Sequence, residues 1–101
     1  MSYAEVEMKV IQWSEARKII PNSTALAQAK KAVEEVGELY DALAEDDLAK
    51  VIDGVGDTLV CLINVCALKD LSVVECLKVA YEEIKDRKGT MNAEGIFVKE
   101  V

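Results

Sequence analysis

Two short stretches carry carboxylates at helical spacing. Glu34-Glu35-Val36-Gly37-Glu38 sets Glu35 and Glu38 one turn apart on one helix face, with Asp41 a further turn along. Asp53-Gly54-Val55-Gly56-Asp57 repeats the arrangement at a spacing of four. Like charges stacked this way destabilise an isolated helix. The second pair is the costlier, because Asp57 is followed by Thr58-Leu59-Val60-Cys61-Leu62 and stands at the edge of the most apolar part of the chain. A carboxylate turned toward a core costs several kcal/mol unless it is paired or holds a cation. Gly37, Gly54 and Gly56 fall inside the same stretches, and each costs about 1 kcal/mol against alanine in a helix interior. They imply close helix approach or room for a ligand, and two local rules broken at one place point to a functional site. Clustered oxygen donors select Mg²⁺, Mn²⁺ or Ca²⁺ over zinc. The loop spacing of an EF-hand is absent, and Mg²⁺ commonly couples a few carboxylates to a polyphosphate. The chain has no histidine, which removes Ser-His-Asp and Cys-His catalysis and His-ligated zinc. The competing reading, a solvated acidic face, suits Glu34, Asp41 and Glu45 better than Glu35, Glu38 and Asp57.

The elements that must position these groups follow from length and pattern. At 101 residues, 51% apolar and 31% charged, the chain is expected to form one domain that buries roughly 65% of its unfolded surface. No apolar run reaches the ~18 residues of a membrane span, and no secretory signal opens the chain, so a cytoplasmic domain is expected. The net charge is −7; residues 34–57 hold nine acids against one base, Lys50. Such a surface repels phosphate backbones, so neither nucleic acid nor an anionic membrane is expected as a partner. Cys61, Cys66 and Cys76 lie inside apolar helical patterns and read as reduced, buried thiols.

Ser2-x-x-Glu5 opens a first helix over about 3–19, with Val6, Val10 and Trp13 on one stripe. Pro21 ends it, and Asn22 or Ser23 is expected to cap a second helix over 23–44, whose core face would be Leu26, Ala29, Ala32 or Val33, Val36, Leu39, Tyr40 and Leu43. A third, over 47–68, follows the Glu45-Asp46-Asp47 carboxylates; its pattern runs from Leu48 to Cys66 and should make it the central helix. Ser72-x-x-Glu75 opens a fourth over 72–87, with Val73, Cys76 or Leu77, Ala80 and Ile84 inward. Residues 88–101 form a non-helical tail packed on a neighbour. The fold class is therefore all-α, an antiparallel four-helix bundle. Low aromatic content and two long helices favour a second subunit.

The two acidic motifs, in order and on consecutive helices, resemble the Glu-Glu-x-x-Glu and Glu-x-x-Asp motifs of the MazG-like all-α nucleoside triphosphate pyrophosphohydrolases, the superfamily that includes dimeric dUTPases and phosphoribosyl-ATP pyrophosphohydrolases. The similarity extends to Gln12-Trp13, to Gln28 with Lys30-Lys31, and to Glu83-Ile84-Lys85-Asp86-Arg87-Lys88-Gly89. It implies hydrolysis of a (deoxy)nucleoside triphosphate to monophosphate and pyrophosphate with Mg²⁺ or Mn²⁺, by a homodimer or homotetramer, in nucleotide-pool sanitation or control. Glu35, Glu38 and Asp57 match the metal-binding acids. The remaining acid of the second motif is replaced by Gly54, and Asp53 is the substitute one helical turn from Asp57. Glu35 or Glu38 would serve as base, and Glu34 stands either behind the metal ligands or on the open surface. Gln12 and Trp13 would approach the nucleotide, and Lys31, Lys85, Arg87 and Lys88 its phosphates. The reading in competition is a non-catalytic helical module whose acidic face docks a basic partner.

Overall fold

The structure, a computed structural model, describes residues 1–100. Five helices, α1 (Tyr3–Ala16), α2 (Ile19–Asn22), α3 (Ala25–Ala44), α4 (Leu48–Leu68) and α5 (Val73–Ile84), precede a hairpin of β1 (Gly89–Met91) and β2 (Phe97–Lys99). Local chemistry sets most boundaries. The Ser2 and Ser72 hydroxyls accept from the Glu5 and Glu75 amides at 3.2 and 3.4 Å, and Asp47 Oδ1 accepts from the Lys50 amide at 3.2 Å, so each caps its helix. The cap of α3 is Thr24, accepting from the Ala27 amide at 3.0 Å, rather than Asn22 or Ser23. The reason is upstream: the chain breaks at Lys18, which takes a left-handed φ of 66°, and Pro21 sits inside the short α2 instead of ending α1. Asp46 and Asp70 adopt the same left-handed conformation just after α3 and α4.

The α3 and α4 helices lie together along most of their length, α1 and the short α2 pack on α4, and α5 touches α4 alone. Thus α4 meets every other helix, as a central helix should. By length and composition it could also cross a membrane, with a mean hydropathy of 1.8 over its most apolar 18-residue window. The non-helical tail, whose last residue, Val101, lies outside the described residues, is an antiparallel hairpin pairing Gly89 with Lys99 and Met91 with Phe97; contrary to expectation it is not packed on a neighbour, since among the described residues it contacts none of the helices. Its turn is built by Asn92, whose Oδ1 accepts from the Glu94 and Ile96 amides at 3.0 and 2.9 Å, and by Gly95 at φ 83°.

The expected apolar core face of α3 is largely absent from the interior. Of that set only Ala32 is buried and Leu39 half-buried; Val33 and Tyr40 are 72% and 71% exposed. On α4 the buried positions are Gly54, Cys61, Ile63 and Asn64, whereas Leu48, Ile52, Val55, Leu59 and Leu62 face outward. Of the expected core positions of α5 Val73 is half-buried, whereas Cys76, Leu77, Ala80 and Ile84 are exposed. The physical reason is the closeness of α3 to α4. At Gly54 a Cβ would lie 3.1 Å from Leu39 Cβ and 3.3 Å from its Cα. Helices meeting at that distance bury small side chains, Ala32, Ala42, Gly54 and Cys61, and turn large ones away.

Candidate functional site

The buried strip of α3 brings Glu35 into the α3–α4 contact at 8% exposure. Its Oε1 lies 3.5 Å from Lys31 Nζ, while Oε2 has no partner and no access to water. A carboxylate oxygen left this way carries the full cost of desolvation. Its neighbours deepen the anomaly. The Glu35 charge first, then a hydrogen bond with Glu35 and desolvation, with the charge of Asp57 last, raise the Glu38 carboxyl above the usual glutamate range. Desolvation first, then the charges of Asp53 and Glu35, raises Asp57. The charge of Glu35 thus reaches both Glu38 and Asp57, and that of Asp53 reaches Asp57, although among the described residues no three acids, cysteines or histidines converge into a ready-made cation cage.

Three cavities meet at Asp57, one of them an apolar groove against Val6, Val10 and Trp13 of α1 and two bearing on the carboxylates. Of these two, one, of about 390 Å³, is lined by Glu38, Asp41, Glu45, Asp53 and Asp57, with Lys50 as its one base. The other, of about 490 Å³, runs past Glu35 and Asp57 to Trp13, Gln28, Lys31, Cys61 and Asn64. The mixed lining of the second comes from a relay that sequence patterns did not pick out. Ser14 Oγ donates to Asn64 Oδ1 at 2.6 Å, Asn64 Nδ2 donates to Gln28 Oε1 at 3.1 Å, and Gln28 Nε2 donates to Ser23 Oγ at 3.0 Å. Ser14 and Asn64 are essentially fully buried. The one signal available in the sequence is Asn64 itself, a carboxamide in the most apolar segment of the chain.

The remaining site candidates divide. Lys31 bridges Glu34 at 3.3 Å and Glu35, and its ammonium is raised chiefly by the hydrogen bond to Glu34. Glu34 is exposed and pairs with that lysine. Trp13 borders the second cavity, with the Arg17 guanidinium 4.5 Å from its ring centre. Gln12 is exposed and borders neither cavity. Lys85 is held by Glu82 at 2.7 Å, and Arg87 and Lys88 line a separate depression with Glu83, Asp86, Lys99 and Glu100. Within one chain these three bases therefore stand apart from the carboxylates. A side chain at Gly54 would point into Leu39, whereas Asp53, one residue earlier, faces the acidic cavity. Gly37 and Gly56, in contrast, face open space. Compared with protein-family models, curated proteins and solved structures, the chain shows no significant match to any of them.

Proposed function

We propose that the protein is a Mg²⁺-dependent pyrophosphohydrolase that converts a nucleoside triphosphate to its monophosphate and pyrophosphate, acting on the cytoplasmic nucleotide pool. The observation that carries this reading is the unpartnered Oε2 of the buried Glu35, set beside two carboxyls already pushed toward their neutral forms. Negative charge packed this closely is relieved by protons or by a cation, and an all-oxygen donor set suits Mg²⁺ or Mn²⁺. Glu35, Glu38, Asp57 and Asp53 are the residues that would hold it. Bound there, the cation would neutralise the phosphate oxygens of the substrate.

The chain's own residues supply the rest. Glu38 or Glu35 accepts a proton from a water directed at the anhydride between the first two phosphates. A new P–O bond forms in line as the bond to the bridging oxygen breaks, and that oxygen departs with its electron pair. The cavity between Trp13 and Gln28 receives the nucleoside, where the amide edge of Gln28, held by Asn64 and Ser23, can hydrogen-bond a base. Lys31 lies between the two and can turn from Glu34 to a phosphate. Lys85, Arg87 and Lys88 would act on phosphates only from a second subunit.

A panel of ribo- and deoxyribonucleoside triphosphates incubated with the protein and Mg²⁺ or Mn²⁺ tests the reading. Equal release of monophosphate and pyrophosphate from at least one substrate is expected. No release from any of them favours the acidic docking module instead.

A further inference from the structure

Two cysteines that the carboxylate site does not use stand on either side of one turn. The sequence pattern places all three cysteines inside, but the structure buries Cys61, half-buries Cys66 and exposes Cys76. Cys66 lies in the last turn of α4 and Cys76 in the first turn of α5. Between them the chain folds back tightly: the Cys66 carbonyl accepts from the Lys69 and Leu71 amides at 3.0 and 2.8 Å, Asp70 takes a left-handed φ of 54°, and the Cys76 amide donates to the Ser72 carbonyl at 3.0 Å. This turn lays the start of α5 against the end of α4, the one helix that α5 contacts. The two thiols meet across that contact within hydrogen-bonding reach, an approach that a disulfide can complete with little backbone movement. Cys61 is five residues earlier, turned about 140° around α4, and is buried on the side of α3.

The two sulfurs differ in reactivity. Burial first, then the neighbouring Cys76 and the charge of Glu7, push the Cys66 thiol up, and Glu7 itself keeps one oxygen, Oε2, without a partner or access to water. The thiolate is the reacting form, so Cys66 is slow to attack, whereas Cys76 is the sulfur that an oxidant reaches from solvent. We propose that Cys66 and Cys76 form a reversible disulfide that locks α5 against α4, made by exchange with a low-molecular-weight disulfide. The Cys76 thiolate attacks one sulfur of the small disulfide, a mixed disulfide forms, and the first small thiolate leaves with the electron pair of the broken S–S bond. Cys66 then gives its proton to solvent and attacks Cys76 Sγ; the Cys66–Cys76 bond forms and the second small thiolate leaves. The protein loses two electrons and two protons, and the small disulfide becomes two thiols.

The bond matters because α5 is lightly held. Leu77, Val79, Tyr81 and Ile84 are exposed, and among the described residues the hairpin reaches the other helices only through α5. A segment with few buried contacts opens locally at little cost. A covalent link across the short loop from Cys66 to Cys76 removes most of the freedom that α5 gains on detaching, so the oxidised chain holds α5, and the hairpin after it, in one position. In a reducing compartment a thiol pair of this kind acts as a sensor and not as a permanent staple. The inference does not depend on the catalytic reading.

The test equilibrates the full chain with reduced or oxidised glutathione, quenches with acid, alkylates in denaturant and maps the label by peptide mass. Oxidised glutathione is expected to give a chain that has lost two hydrogens and takes label at Cys61 alone, and dithiothreitol should restore label at all three cysteines. Amide hydrogen exchange over α5 should slow by about tenfold or more in the oxidised chain and recover on reduction. Cys76→Ser, at an exposed position, should exchange like the reduced parent in both buffers, and Cys66→Ser should retain glutathione on Cys76. A parent chain that keeps three free thiols in oxidised glutathione overturns the inference. So does glutathione that stays on Cys76 of the parent, or a disulfide that joins two chains or engages Cys61. A Cys66–Cys76 bond that leaves exchange over α5 unchanged overturns the lock.

Discussion

The two sides of the interior of this protein obey opposite rules. Where α3 meets α4 within the chain, the buried groups are mainly small or polar, Ala32, Ala42, Gly54, Cys61, Glu35 and Asn64, with Leu39 half-buried against Gly54. Around the corner of the same helices, Leu, Val, Ile and Tyr repeat at coiled-coil spacing and stay exposed. In most small domains the apolar stripe marks the inside of the chain. Here the close approach that builds a carboxylate pocket excludes bulky side chains, so the apolar stripe is displaced to a face that the chain alone cannot cover. Hydrophobic periodicity therefore marks a surface to be buried without saying what buries it.

The comparison can be broken on its polar side first, where the largest effect is expected. Glu35→Gln removes the buried charge and should lower kcat for triphosphate hydrolysis by about 10²–10⁴-fold if Glu35 is the base. The same substitution should leave the metal-free melting midpoint unchanged or higher, because a buried carboxylate with one unpartnered oxygen disappears. Turnover at the parental rate would remove Glu35 from the chemistry.

A smaller effect separates the two kinds of glycine. Gly54→Ala places a Cβ 3.1 Å from Leu39 Cβ and should destabilise the fold by about 1–3 kcal/mol, since backbone lies directly behind the contact. Gly56→Ala meets open space and should stabilise it by up to about 1 kcal/mol through helix propensity. Urea unfolding of the two variants side by side gives both values. Equal effects would mean that helix propensity, not close approach, governs both positions.

The smallest effect is a pH dependence. The Glu38 and Asp57 carboxyls are raised in the folded chain, so the folded state holds their protons more tightly than the unfolded state does. Their contribution to stability is fully present below the unfolded carboxylate range and is lost as pH rises through the raised folded values. The metal-free midpoint should therefore climb as pH falls from 7 toward 5, and millimolar Mg²⁺ should raise the pH 7 midpoint and flatten the slope. Calorimetry across that range with and without Mg²⁺ measures both, and a flat metal-free profile would dissolve the coupling among the acids.

Much of the fold is legible residue by residue. Ser2, Asp47 and Ser72 announce three helix starts, because a cap satisfies the backbone within its own turn and needs no distant partner. The carboxylate pairs are legible for the same reason, since spacing alone puts Glu35 with Glu38 and Asp53 with Asp57. Thr24 as the cap of α3 was hidden by the left-handed turn at Lys18, which shifts the boundary past Pro21. The hairpin of the tail was also hidden, because two three-residue strands give too short a pattern to read.

The sequence by itself determined the long helices and three of their starts, which faces are apolar and where negative charge is concentrated, all consequences of backbone periodicity and local hydrogen bonding. Only the tertiary structure decided which face turns inward. That choice depends on how closely two helices approach, and the approach is set by a glycine on α4 meeting a leucine on α3 fifteen residues earlier. It likewise joined Ser14 to Asn64 across fifty positions and left Glu35 Oε2 without a partner. Such pairings arise from packing between distant segments, and no local pattern encodes them.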